Sequence, residues 1–291
     1  MRNRSGIALW QVIVAIVVVV GGLMTLAGVL MVAGLQRANG LTNRTVCMSN
    51  LASINKAVII YKGENDGAWP WLYDTMSEWD TTAVGTNRNV SPFGKKDDPN
   101  NPKRRSVTSL MFMLVRMNQS PGIFRCPSDR NAEYDLDVKA YADDGDILEG
   151  EYYWDFAKPQ NVSYSWQAPL WKGGRFAQGM DNNEVEAVAV ADMTPAATKA
   201  GWKAADVTKL DGAALEAQMS PNHQGERVNV LRVAGYIQPQ KRPDVGVDKD
   251  NIYTASGDPN AGSPSATSLD IRKHLSKSDT FLIGPVGRTA E

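Results

Sequence analysis

From Ile7 to Leu35 almost every position is apolar, and the run is broken only by Gln11, Thr25 and a few small glycines. A helix needs about 20 such residues to cross the hydrocarbon core, so this run predicts a membrane span. In lipid the backbone must satisfy itself, which leaves a helix or a closed barrel, and one segment makes only a helix. A soluble core helix is not apolar on every side over this length. The rival reading is a cleaved secretory signal. Met1-Arg2-Asn3-Arg4 makes a basic start, but the apolar run is about twice the usual signal core, and only Ala33-Gly34 offers a weak small-residue site.

The pattern then changes. Gln36 to Gly40 is polar and reads as flexible. After it, Cys47, Leu51, Ile54, Val58 and Tyr61 recur at spacings of four, three, four and three, which is one face of a helix. Asn43 or Thr45 can cap or restart it, and Gly63 with Asn65-Asp66-Gly67 ends it. The expectation is one long helix, with its first half in lipid and its second half packed on a head, bending at Gly21-Gly22 or Gly40. A second helix is expected over Ser106–Met117, with Leu110, Met111, Leu114 and Met117 on one face.

Strands follow. Asn161–Trp166 is one, and Val185–Asp192 is another, with Val188 and Val190 on one face and Ala187, Ala189 and Ala191 on the other. Val228–Val233, Ala234-Gly235 and Tyr236–Gln238 predict a tight hairpin. Lys203–Met219 reads as a helical insertion. Val84–Arg105, Asp135–Glu151 and Ser256–Ala266 read as loops. Helix first and small antiparallel sheet later gives an α+β head on a stalk helix. The expected divisions are a leader at 1–6, a transmembrane helix at 7–35, a stalk at 36–67, a head at 68–255 and a tail at 256–291.

Charge adds little. Charged residues are 22% of the chain and the formal net charge is −1, which gives no basic footprint for nucleic acid and no acidic tail. Arg2 and Arg4 precede the span and Arg37 and Arg44 follow it, so the positive-inside rule is near a tie. The bulk of the chain lies after the span, which suggests a head outside the cytoplasm. Cys47 and Cys126 are then an isolated pair in an oxidising compartment, and a disulfide between them is expected, with two buried free thiols as the alternative.

Candidate chemistry is sparse. His223 and His274 are the two histidines. A hydrolase reading would pair His223 with Asp192 and Ser220, but no Gly-x-Ser-x-Gly elbow accompanies them, and the expectation is no enzyme and no cofactor. Asp143, Asp144, Asp146, Glu149 and Glu151 supply enough oxygens for Ca²⁺ without the spacing of an EF-hand, so a solvated acidic loop is the simpler reading. Trp69, Trp71, Tyr152, Tyr153, Trp154 and Trp166 are either core or the wall of a ligand cleft.

Four local patterns stand in order along the chain. The first is a short basic leader ending in Gly6, followed at once by an apolar helix from Ile7. The second is Cys47-Met48-Ser49-Asn50-Leu51, followed by Ala57, Tyr61, Asp66-Gly67 and Pro70. The third is Phe124-Arg125-Cys126-Pro127-Ser128-Asp129. The fourth is Ser220-Pro221-Asn222-His223-Gln224-Gly225-Glu226 with Asn229-Val230-Leu231 and Gly235. Together they resemble the prepilin-like or pseudopilin-like proteins of planctomycete-type bacteria. The family has Glu at the fifth helix position where Gln11 stands here, Phe where Ile7 stands, and Asp where Ala234 stands. The resemblance implies a pilin-like fold in the inner membrane with its head in the periplasm. It also implies cleavage after Gly6 by prepilin peptidase, N-terminal methylation, and assembly with other pilin-like subunits of a type II secretion or type IV pilus-like system. In such assemblies the fifth-position Glu neutralises a neighbour's N-terminal amine, so Gln11 implies a weakly assembling or specially placed subunit. A membrane-tethered periplasmic ligand-binding module is the alternative.

Overall fold

The computed structural model describes residues 9–67, 69–70, 79–80, 84, 105–132, 153–167, 186–198, 201–255, 267–269 and 280–285. The leader with Gly6 and Ile7, the acidic residues Asp143 to Glu151, Trp71 and Tyr152 lie outside the described residues. The chain divides into two units, Met1–Asn43 and Arg44–Glu291.

Helix α1 runs from Leu9 to Glu64. Within the first unit its apolar side chains, from Trp10 and Val12 through Val20, Leu23 and Met31 to Leu35, are exposed. It is the one helix among the described residues long and apolar enough to cross a membrane. The polar run Gln36–Gly40 is helical, not the flexible break its composition suggested. Backbone hydrogen bonding continues through it because no proline interrupts the ladder, and one glycine costs only about 1 kcal/mol. The helix ends where expected. Asp66 and Gly67 take positive φ (52° and 80°), and Gly67 N–H donates back to the Lys62 carbonyl at 2.8 Å.

In the second unit α1 contributes Cys47, Leu51, Ile54, Val58 and Tyr61 to the core, the same stripe its periodicity predicted. Helix α2, Thr108–Arg116, adds Leu110, Met111, Phe112 and Leu114. Residues Arg105–Ser106 form a two-residue strand, β2, paired in parallel with β1, Trp79–Asp80. The Thr108 hydroxyl donates to the buried Asp155 carboxylate at 2.5 Å, which ties α2 to the Phe156 segment. Phe156 meets Phe112 and Phe124 edge-on at 5.2 and 5.3 Å between centroids, a geometry that aligns ring edges with ring faces.

The main sheet has five strands: β3 (Tyr164–Gln167), β4 (Val188–Asp192), β5 (Val228–Arg232), β6 (Ile237–Gln240) and β7 (Leu282–Ile283). Their order is β6-β5-β4-β3-β7, and every adjacent pair is antiparallel. With the α1 stripe this makes an α+β head. One face carries Tyr164, Trp166, Val190, Leu231 and Ile283 in the same cluster as the α1 and α2 side chains. Val188, Ala191, Val228, Val230 and Leu282 form a second cluster with Met219, Ile252 and Tyr253. The expected alternation in β4 is therefore wrong at Val188. The register slips between Val188 and Val190, so Val188 joins the second cluster while Val190 stays with the first. A bulge inserts one residue, and one residue reverses the face.

The β5–β6 hairpin turns through Val233-Ala234-Gly235, with Gly235 N–H donating to Arg232 O at 2.8 Å and Gly235 at φ 90°. Asn55 of α1 donates its amide to Gly235 O at 3.1 Å, and a Cβ at 235 would sit 3.0 Å from that nitrogen. Gly235→Ala thus meets both a left-handed backbone and a hydrogen bond in its way. We expect a loss of about 1–2 kcal/mol in unfolding free energy, read from the urea midpoint. A variant as stable as the parent would contradict this.

Candidate functional site

Among the described residues of the head, a polar centre is buried where α1, the segment after α2, the end of β4 and the start of β5 converge. Cys47 on α1 and Cys126 form a disulfide with a Cα–Cα distance of 5.1 Å. Two contacts frame it. Asn50, one turn along from Cys47, donates its amide to Arg125 O at 2.6 Å, and the Tyr164 hydroxyl reaches Cys47 O at 3.4 Å. Leu51 lies beside them in the core at 0% exposure, and Pro127 follows Cys126 in a turn closed by Asp129 N–H to Cys126 O at 3.0 Å.

His223 completes the centre. Its Nε2 lies 3.6 Å from Cys126 Sγ, 3.0 Å from Asn229 Nδ2 and 3.6 Å from Asp192 Oδ2. A neutral imidazole facing the Asn229 amide accepts at Nε2. Its Nδ1 has no hydrogen-bond partner among the described residues. The backbone that aims this ring inward is unusual: His223, Gln224 and Gly225 all have positive φ, at 55°, 62° and 78°. Left-handed conformation costs a non-glycine residue roughly 1–2 kcal/mol, so the surrounding contacts must hold the turn. At the third position only glycine fits, because a Cβ on Gly225 would lie 2.9 Å from Glu216 O.

Asp192 ends β4 on the face that also carries Val190, and Asn229 sits opposite it in β5 on the face that carries Leu231. The Asn229 N–H donates to Asp192 Oδ2 at 2.6 Å. Asn222 donates to Ser163 O at 2.8 Å, and the Tyr253 hydroxyl donates to Asp192 O at 3.0 Å. The Ser220 hydroxyl accepts from Asn222 N–H at 3.2 Å. Outside this layer Arg44 of α1 pairs with Glu226.

Burial sets the electrostatics. Loss of water pushes the Asp192 carboxyl up to about 7, although the Asn229 N–H and the Asn222 and Asn229 amides pull the other way. Burial, helped by the nearby Arg44 guanidinium, pushes His223 down to about 4. Burial first, and the Asp192 charge second, also raise the Tyr164 and Tyr253 phenols. The centre thus keeps the imidazole neutral at neutral pH, with the Asp192 carboxyl near the middle of its titration, and holds both groups uncharged in mildly acidic conditions.

Comparison with protein family models, with curated proteins and with solved structures finds no match.

The sequence reading singled out Cys47, Cys126, Asn50, Leu51, Pro127, His223 and Gly235, and the structure gathers all but Gly235 around the disulfide; Gly235 serves the hairpin instead. Gln11 lies on the exposed part of α1. Asn229, Tyr164 and Tyr253 were not singled out as site residues. Asn229 had a signal, since it takes a buried position between Val228 and Val230 in β5. Of the aromatic group, Trp166 is fully buried and Trp69 nearly so. The Arg116 guanidinium stacks over Trp154 at 3.6 Å, and Lys62 lies over Trp69 at 5.0 Å. Those ring faces are already occupied by the protein's own cations.

Proposed function

We propose that the chain is a membrane-anchored structural subunit of pilin-like architecture, held in the inner membrane by α1 with its head in the periplasm. The observation that supports this most is that one helix, Leu9–Glu64, supplies both an exposed apolar segment of membrane-spanning length and the buried stripe Cys47–Leu51–Ile54–Val58 of an α+β head. A helix that serves lipid at one end and a protein core at the other suits a subunit that passes from the membrane into an assembly by its helix. The ordered patterns around Gly6, Cys47, Cys126 and His223 point the same way. On this reading prepilin peptidase removes Met1 to Gly6, and the partners are other pilin-like subunits.

The assembly step turns on Gln11. An amine freed at Ile7 in an apolar surrounding is costly without an opposite charge, and glutamine supplies hydrogen bonds but no charge. Gln11→Glu is expected to increase incorporation into filaments, measured by the fraction of protein in sheared surface material. The parent should remain in the pellet on carbonate extraction of membranes, and its intact mass should correspond to a start at Ile7. Release of the head by carbonate would remove the anchor from this reading. A mass that retains Met1 to Gly6, with assembly unchanged by Gln11→Glu, would leave a plain signal-anchored protein.

A further inference from the structure

We propose that the buried centre is a redox-gated metal site: once a dithiol opens the disulfide, the Cys47 and Cys126 thiolates, His223 Nε2 and the Asp192 carboxylate bind one Zn²⁺-type ion. The donor atoms of Cys47, Cys126 and His223 already lie within 4.8 Å of one another. A tetrahedral zinc with bonds of about 2.0–2.3 Å holds its donors roughly 3.3–3.8 Å apart. Two of the required separations are present, since Nε2 is 3.6 Å from Cys126 Sγ and 3.6 Å from Asp192 Oδ2. The changes needed are the opening of the sulfur–sulfur bond to the width of a metal edge, a shift of the Asp192 carboxylate toward the sulfurs, since it stands outside the 4.8 Å group of the other three donors, and release of Nε2 by the Asn229 amide.

The donors also come from four separate elements, so each is positioned independently of the others: α1, the turn after residues 121–124, the end of β4 and the left-handed turn at His223. All four residues are buried, His223 at 4% and the others at 0% exposure. Two thiolates, an imidazole and a carboxylate form a donor set suited to a borderline-soft divalent cation and not to Ca²⁺. Disulfide and metal exclude each other, because bonded sulfurs are not thiolate ligands. The chemistry balances simply. The dithiol gives two electrons and two protons and closes to its own cyclic disulfide, leaving Cys47 and Cys126 as thiols. The metal then displaces those two protons to solvent. The same segments are thereby cross-linked in either redox state, once by sulfur and once by metal. This inference does not depend on the assembly reading.

The test uses the full-length protein in detergent, reduced with dithiothreitol, freed of reductant by anaerobic gel filtration and titrated with Co²⁺. We expect one equivalent to produce thiolate-to-cobalt charge transfer and the intense visible bands of tetrahedral cobalt, both removed by Zn²⁺. Oxidised protein should show neither. Replacing Cys47 and Cys126 together by alanine should abolish the charge transfer, and His223→Gln and Asp192→Asn should each weaken binding by 10-fold or more while retaining part of it. A reduced, folded protein with two reactive thiols and no such bands would overturn the site. Unchanged affinity in both His223→Gln and Asp192→Asn would overturn it as well. If reduction unfolds the head, Zn²⁺ must restore native tryptophan fluorescence, and failure to do so counts equally against the proposal.

Discussion

Replacing Cys47 and Cys126 together by alanine is expected to lower the unfolding free energy of the head by about 4.5 kcal/mol. The bond joins residues separated by 79 positions. A cross-link of that span removes much of the freedom of the unfolded chain, and the logarithmic dependence on loop length gives the figure. The enclosed segment holds α2 with Phe112, and Phe124, so the constraint bears on residues of the main core cluster. Urea unfolding of the full-length protein in detergent, followed by tryptophan fluorescence, measures it. Reduction of the parent in the presence of a chelator should shift the midpoint by a similar amount, which separates the cross-link from the packing of the two sulfurs. An alanine variant as stable as the oxidised parent would show that the unfolded chain is already constrained without the bond.

The second large effect concerns Asp192 and His223, and its mark is a pH dependence that appears only when one partner is removed. In the unfolded chain the carboxyl titrates near its ordinary 3.8 and the imidazole near 6.5; in the fold they move to about 7 and about 4. Between about pH 4 and 6.5 each state therefore holds one proton on the pair, on His223 when unfolded and on Asp192 when folded. Proton counts match, and the pair contributes almost no slope to stability in that window. Asp192→Asn leaves the depressed imidazole alone. Its contribution is fully present above pH 6.5 and is lost as pH falls toward 4. His223→Gln leaves the raised carboxyl alone. Its contribution is fully present below pH 3.8 and is lost as pH rises toward 7. The swings are on the order of 3 kcal/mol for the imidazole and 4 kcal/mol for the carboxyl, and they run in opposite directions. Thermal midpoints of the disulfide-bonded proteins across this range check the result. Parallel curves for the two variants would mean that the centre does not hold its partners uncharged.

Much of the fold was legible because hydrophobic spacing is a direct record of burial. The stripe from Cys47 to Tyr61 was set by its four-three spacing, and the structure buries every member of it. The β5–β6 hairpin was legible from Ala234-Gly235, with Gly235 in the left-handed position, although the turn also takes in Val233, which the sequence pattern placed in the strand. The bulge in β4 was not, since a run of alternating alanine and valine fits either face and only pairing with β5 decides which. The polar centre was half legible. His223 stood out as one of two histidines, but no local signal announces three successive left-handed residues, two of them not glycine. Their conformation is imposed by what surrounds them: Glu216 against Gly225, Asn229 against the imidazole and Arg44 against Glu226. Asn222 and Tyr253 were invisible as partners because their contacts, to Ser163 and Asp192, join residues dozens of positions apart.

The sheet order bears on how the protein is made. Strand β3 is completed on its outer side by β7, whose residues Leu282 and Ile283 are synthesised more than two hundred positions after Leu51 and Ile54. At ordinary elongation rates that interval is on the order of 10–50 s. For nearly all of it α1 is complete, and once β3 has been made its Trp166 edge still lacks the partner strand. A nascent chain in this state has a ready surface for sticking to other chains, and the ribosome cannot shorten the wait. Chains that stop just short of Leu282 should therefore accumulate as aggregates and proteolytic fragments, with most of the core sequence already made.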